Sequence, residues 1–196
     1  MELTYRRFDP ADATDVDALV GFLTSDTWPF HGQAVVDEEG TRQRVAGGDF
    51  DGDGTRTFWI GAGEEVLGLV RLMDLEDATP LFDLRLRSRD RGRGVGSRAV
   101  TWLTAYLFDT FPHVTRIEGT TRQDNVAMRR VFRACGYVKE AHYRQAWPTE
   151  DGTVCDAVGY AILRRDWRTG TTTLPDWDDE PLRVSRAQAA RCRPAH

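Results

Sequence analysis

Residues 89–100, Arg-Asp-Arg-Gly-Arg-Gly-Val-Gly-Ser-Arg-Ala-Val, set glycines at alternate positions between two patterned segments. Before them an apolar run ends in Leu84-Arg85-Leu86; after them residues 99–108 repeat apolar side chains at helical spacing. The order is therefore strand, glycine-rich turn, helix. Gly92, Gly94 and Gly96 clear one edge of the turn of Cβ atoms, so a ligand can approach the backbone. Unpaired N–H groups at a helix start, with the positive dipole end behind them, make an anion site. Arg89, Arg91, Arg93 and Arg98 add charge around it. A phosphate-bearing ligand is the natural occupant; the alternative is a surface turn that only caps the helix.

Two familiar phosphate motifs do not fit. A dinucleotide fold places its glycine fingerprint after the first strand, with an acidic residue about 20 positions on. Here the turn lies mid-chain. A P-loop needs Gly-Lys-Ser/Thr, which is absent. The 40% apolar fraction suffices for an ordinary core, and the net charge of −5 gives no overall signal for nucleic acid. Cys135, Cys155 and Cys192 are odd in number and lack Cys-x-x-Cys spacing, which predicts neither a disulfide framework nor a zinc site. With no signal peptide and no apolar run of about 18 residues, the expectation is a soluble, cytoplasmic protein that does not contact membrane.

Residues 3–8 read as a first strand and 12–24 as a helix. Residues 25–32 are irregular and carry Trp28, Phe30 and His31, which either bury under the domain or line a pocket. A second helix is expected at 37–46. The turn at 49–54 has carboxylates at alternate positions and glycine at the sixth, like half a calcium loop. The twelfth position is Ile60 where a bidentate Glu is needed, so a solvated acidic turn is expected and no metal. Residues 57–61 and 66–72 form a hairpin, and 80–87 is the strand entering the glycine turn. A strand at 113–120 and a helix capped at Asp124-Asn125 follow; strands 137–147 and 154–163 flank a turn at 148–152. The class is mixed α+β.

Three blocks carry a resemblance. Arg91-x-x-Gly94-x-Gly96 resembles the acetyl-CoA pyrophosphate loop of the GNAT N-acetyltransferases. Asn125-x-x-Met128-x-x-Val131-Phe132-x-x-Cys135-Gly136-Tyr137 is similar to the helix after their fifth strand. The stretch from Trp147 to Trp167 resembles their ribosomal-protein N-terminal acetyltransferase (RimJ/RimL-like) branch. The resemblance implies a central, mostly antiparallel sheet of six or seven strands, splayed between strands four and five, with about four helices. The domain would span 1–168, leaving 169–196 as a tail, partly disordered or packed on the body.

The resemblance also assigns roles. Gly92 through Ser97, with Arg91, Arg93, Gly94, Val95 and Gly96, would hold the pyrophosphate. Leu84, Arg85 and Leu86 would pair with the pantetheine amides, and Asn125 and Phe132 would border that arm. A backbone N–H near Leu84 would polarise the thioester carbonyl. The acceptor amine must lose a proton, so a carboxylate is expected nearby. Glu118 and Asp83, on the facing strands, are the candidates; Trp28, Phe30 and His31 would line the acceptor pocket. Two residues depart from the pattern: Phe132 stands where many members have an acidic Tyr, and Met128 where the branch often has Ser. The implied activity is direct acetyl transfer from acetyl-CoA to a protein N-terminus or a small amine, such as an amino-sugar antibiotic. A homodimer is compatible with the family. The rival reading is a non-catalytic acyl-CoA-binding module.

Overall fold

The computed structural model describes residues 2–177. In chain order the elements are β1 (Thr4–Arg7), α1 (Ala13–Thr24), α2 (Glu38–Ala46), β2 (Asp51–Gly52), β3 (Thr55–Ala62), β4 (Glu65–Met73) and β5 (Leu81–Leu86). Then follow α3 (Val95–Thr110), β6 (Arg116–Arg122), α4 (Val126–Ala134), β7 (Val138–Pro148), β8 (Val154–Leu163) and α5 (Arg164–Thr169). One eight-stranded sheet runs β1-β3-β4-β5-β6-β8-β7, with β2 paired to β3. All pairs are antiparallel except β5 with β6. The two-residue β2 is the strand beyond the expected six or seven, so the anticipated fourth and fifth strands are β5 and β6. Its hairpin is the acidic turn. There Asp51 pairs with Arg7 and Asp49 with Arg44, so arginines occupy these carboxylates. Among the described residues no cluster of three or more His, Cys, Asp or Glu is placed to hold a metal.

The two faces of the sheet bury different cores. Trp59 and Leu69 pack with Leu19, Phe22 and Leu23 of α1. Phe58, Val70 and Leu72 pack with Val100, Leu103 and Leu107 of α3. Covered on both faces, β3 and β4 read as apolar runs rather than as alternating strands. Asp15, which the sequence offers only as a first-turn acid, is a buried hub. It takes Arg6 in a fork at 2.9 and 2.6 Å, the Trp59 indole N–H at 2.8 Å and the Asp9 N–H at 2.8 Å. Burial pushes its carboxyl up, but these donors outweigh it and hold the pKa below the usual value.

Helix α3 starts at Val95, earlier than its apolar pattern shows, because the glycine turn folds directly into its first turn. α5 ends at Gly170, and Asp166 accepts from the Thr173 N–H and hydroxyl, both at 2.8 Å. Trp177 is exposed. The expected tail from residue 178 onward lies outside the described residues. No described helix is long and apolar enough to cross a membrane.

Candidate active site

β5 and β6 share a single register pair, Leu81 opposite Glu118, and then diverge. The register of β5 on β4 decides which backbone groups face that gap. Arg87 N–H reaches Leu67 O at 2.9 Å, so Arg85 and Asp83 also turn their backbone groups toward β4. Phe82, Leu84 and Leu86 therefore turn theirs toward the gap. Of the expected pantetheine trio, Leu84 and Leu86 offer backbone groups there, whereas Arg85 offers only its side chain.

Side chains alternate the other way. Leu84 and Leu86 point to the α3 face, where they pack with Val95 and Ala99. Asp83 and Arg85 point to the α1–α2 face. A cleft of about 420 Å³ runs between the two faces, lined by Phe30, His31, Arg71, Asp83, Arg85, Thr120, Asn125 and Phe132 among others.

At the α3 end, Gly94 adopts φ +79°, a conformation that suits glycine, and no side chain caps the helix. The first-turn N–H groups of α3 have no acceptor within the helix. A Cβ on Gly96 would meet Val131, Leu86 and Leu84 at 3.4–4.0 Å, which places this turn beside the open edge of β5. Arg91 and Arg93 do not reach into the turn. Arg91 donates to Leu86 O at 3.0 Å and Thr27 O at 3.1 Å, and Arg93 pairs with buried Asp90 at 2.9 Å. They fix the turn's shape. Asn125 caps α4: its Oδ1 accepts from Met128 N–H at 3.1 Å, while its Nδ2 donates to Thr121 Oγ1 at 3.0 Å.

On the opposite face, Asp83 accepts from His31 Nε2 at 2.9 Å and Arg85 Nε at 3.1 Å. Burial works against its charge, but these donors and nearby Arg71 prevail, holding its carboxyl far below the usual range. His31 Nε2 donates to Asp83, and its Nδ1 is buried without a partner. Phe30 borders the cleft beneath the Arg122 guanidinium, 4.8 Å from its ring. Trp28, expected to touch the acceptor, instead stands behind the cleft. It is buried, donates from its indole N–H to Leu23 O at 2.8 Å, and lies under Arg85 and Arg91.

Glu118 occupies the closed end of the gap. Its N–H donates to Pro80 O at 3.1 Å, and its carboxylate accepts from Arg116, which also pairs with Glu140. The structure thus brings Asp83 and His31 together at the cleft and leaves Glu118 outside it. Phe132 sits at the cleft's base, stacked on Tyr160 with centroids 4.8 Å apart. Tyr137 is buried against Thr104, where burial raises its pKa, and it does not line the cleft. Arg71 and Arg44 were not singled out in the sequence. The available signal was one charge, Arg71, inside the apolar run of β4.

Residues 2–138 match the model of the GNAT acetyltransferase domain, and the chain belongs to this family. A spermidine N-acetyltransferase SpeG chimera from Vibrio cholerae and hSSAT superposes with a TM-score of 0.73 at 18% identity, covering 86% of this chain and 99% of that one. The V. cholerae spermidine N-acetyltransferase in complex with CoA and spermine gives 0.72 at 16% identity, over 85% and 98% of the two chains. RimL, a ribosomal L7/L12 alpha-N-protein acetyltransferase in complex with coenzyme A, gives 0.70 at 20% identity, over 82% and 93%. No curated protein sequence matches the chain.

Proposed function

We propose that the protein transfers the acetyl group of acetyl-CoA to an amine by direct attack within a ternary complex. One observation carries this reading: a cleft at the gap between β5 and β6 is lined by the Asp83–His31 pair and by Leu84, whose side chain borders Gly96 in the uncapped, glycine-shaped start of α3. The residues suit acetyl-CoA. The first-turn N–H groups of α3 would hold its pyrophosphate, and the open backbone groups of Leu84, with the Leu86 N–H, would pair with its pantetheine amides. Acetyl-CoA supplies an acetyl thioester, and Leu84 N–H is the donor available to that carbonyl.

The acceptor enters from the α1–α2 face. There anionic Asp83, held by His31, draws and orients the amine, whose proton leaves through water in the cleft. Asp83 is thus a positioning group, and Glu118 serves the ion pair with Arg116. The leaving thiolate has no phenol beside it, since Phe132 fills that place, and solvent at the cleft mouth reprotonates it. A protein N-terminus and a small amine both fit this chemistry.

The test is CoA release from acetyl-CoA, followed with a thiol reagent over N-terminal peptides, amino sugars and polyamines. Turnover that Asp83→Asn lowers at least a hundredfold, with acetyl-CoA binding unchanged by calorimetry, supports the reading. Acetyl-CoA binding without turnover on any amine would favour an acyl-CoA-binding module. Failure to bind acetyl-CoA would remove both.

A further inference from the structure

The lining of the cleft on its α1–α2 face is cationic. Arg44 of α2, Arg71 of β4 and Arg85 of β5 border it, and Asp83 is the one carboxylate among the lining residues. Asp49 pairs with Arg44 from outside the lining, which still leaves guanidinium charge uncompensated.

The donors are in surplus too. Each guanidinium carries five N–H donors. Arg85, whose side chain is 10% exposed, spends only Nε on a protein acceptor, and its Nη1 is buried with none. Arg71 donates from Nη1 to Asp49 O at 3.1 Å, and its Nε is buried without a partner. Burial lowers the Arg71 pKa, with Arg44 and Arg85 acting in the same direction against Asp83 and Asp49. Buried donors in native proteins are normally satisfied, and crowded arginines attract an anion.

That anion is not the pyrophosphate. The glycine turn packs beside the side chains of Leu84 and Leu86 on the α3 face, whereas Asp83 and Arg85 project to the other face. We propose that the acceptor amine itself carries an anionic group, a carboxylate or a phosphate, that seats against Arg71 and Arg85 while its amine meets the Asp83–His31 pair. This rests on the transferase reading above and narrows its acceptor to a zwitterion. A polyamine, cationic along its length, is disfavoured by the same three guanidiniums.

The experiment uses matched pairs with the full chain and acetyl-CoA. Small-molecule arms are 4-aminobutyrate against its amide and phosphoethanolamine against ethanolamine. A peptide arm sets an Ala-Asp N-terminus against Ala-Asn, and spermidine is the cationic control. The expected result is kcat/KM at least tenfold higher for the anionic member of one pair, with the ratio falling toward one in Arg71→Gln. Arg71→Lys, which keeps the charge but not the fork, retains the preference at a raised KM and guards against a folding artefact. Which pair responds separates a small acceptor from a peptide and a carboxylate from a phosphate. Equal or better turnover of spermidine or the neutral members would overturn the inference and leave the transferase reading intact. Calorimetric binding of an anionic probe to CoA-loaded protein without turnover would do the reverse. Absence of both binding and turnover with every anionic probe would defeat the inference.

Discussion

The Phe132 ring stands where Gly119 leaves room for it: a Cβ built on Gly119 would lie 2.6 Å from the ring's Cζ. The para position of Phe132 therefore abuts β6. Phe132→Tyr adds its hydroxyl at that contact, so restoring the family's usual phenol here does not restore an acid. The expected result is a loss of about 1–3 kcal/mol in stability from overpacking, with no gain in kcat. Gly119→Ala, which drives a methyl into the same ring and toward Phe82 at 3.2 Å, has the same sign. Thermal melts beside CoA-release rates check both.

Asp83 links the site to acid stability. Its carboxyl in the folded chain lies below the value of about 3.9 for a free side chain, because His31, Arg85 and Arg71 outweigh burial. Such a group stabilises the fold above its unfolded pKa, and the contribution disappears as pH falls through its folded pKa. Asp83→Asn should cost roughly 3 kcal/mol at neutral pH by leaving two cationic neighbours without their anion. The melting-temperature gap between the two proteins should narrow steadily below about pH 4. A gap independent of pH would remove the charge-based account.

Gly94 separates strain from contact. Its φ is +79°, and no atom lies within 4 Å of the place a Cβ would take. Gly94→Ala therefore pays only conformational strain, about 1 kcal/mol, seen as a fall in melting temperature of roughly 2–4 °C. The turn it shapes is the proposed pyrophosphate cradle, so acetyl-CoA affinity by calorimetry should fall several-fold as well.

Asp15 tests the other core. Asp15→Asn weakens the bonds its carboxylate takes from Arg6, the Trp59 indole and the Asp9 N–H beneath α1, for an expected loss of about 1–3 kcal/mol. Asp15 does not line the cleft, and acetyl-CoA affinity should not move.

The strand–turn–helix at 84–100 was legible because each of its signals is local: apolar run, spaced glycines, helical period. The resemblance to the family then carried the splayed sheet. Pairings between distant segments were not legible. His31 lies in an irregular stretch whose path nothing local dictates, so its bond to Asp83 depends on how Trp28 anchors under the sheet. Glu118 and Asp83 looked equivalent as acids on facing strands. Only the register, with Glu118 level with Leu81, separates the closed end of the gap from the open one. The charge of Arg91 and Arg93 beside the glycine turn was legible, but not what those side chains hold within the fold. Their geometry binds them to Leu86, Thr27 and Asp90, because a turn this rich in glycine needs side chains elsewhere to hold its shape.

With only Leu81 and Glu118 in register across the middle, the sheet is mechanically two plates clasped at one corner. Beyond that corner backbone hydrogen bonds between β5 and β6 do not set the width of the slot. It is set by a wedge of rings, Phe82 against Phe132 at 5.8 Å and Phe132 against Tyr160, with Tyr137 beneath. Aromatic packing thus acts as the spacer of this molecule, and the gauge of the opening is written in side-chain volume rather than in main-chain bonding.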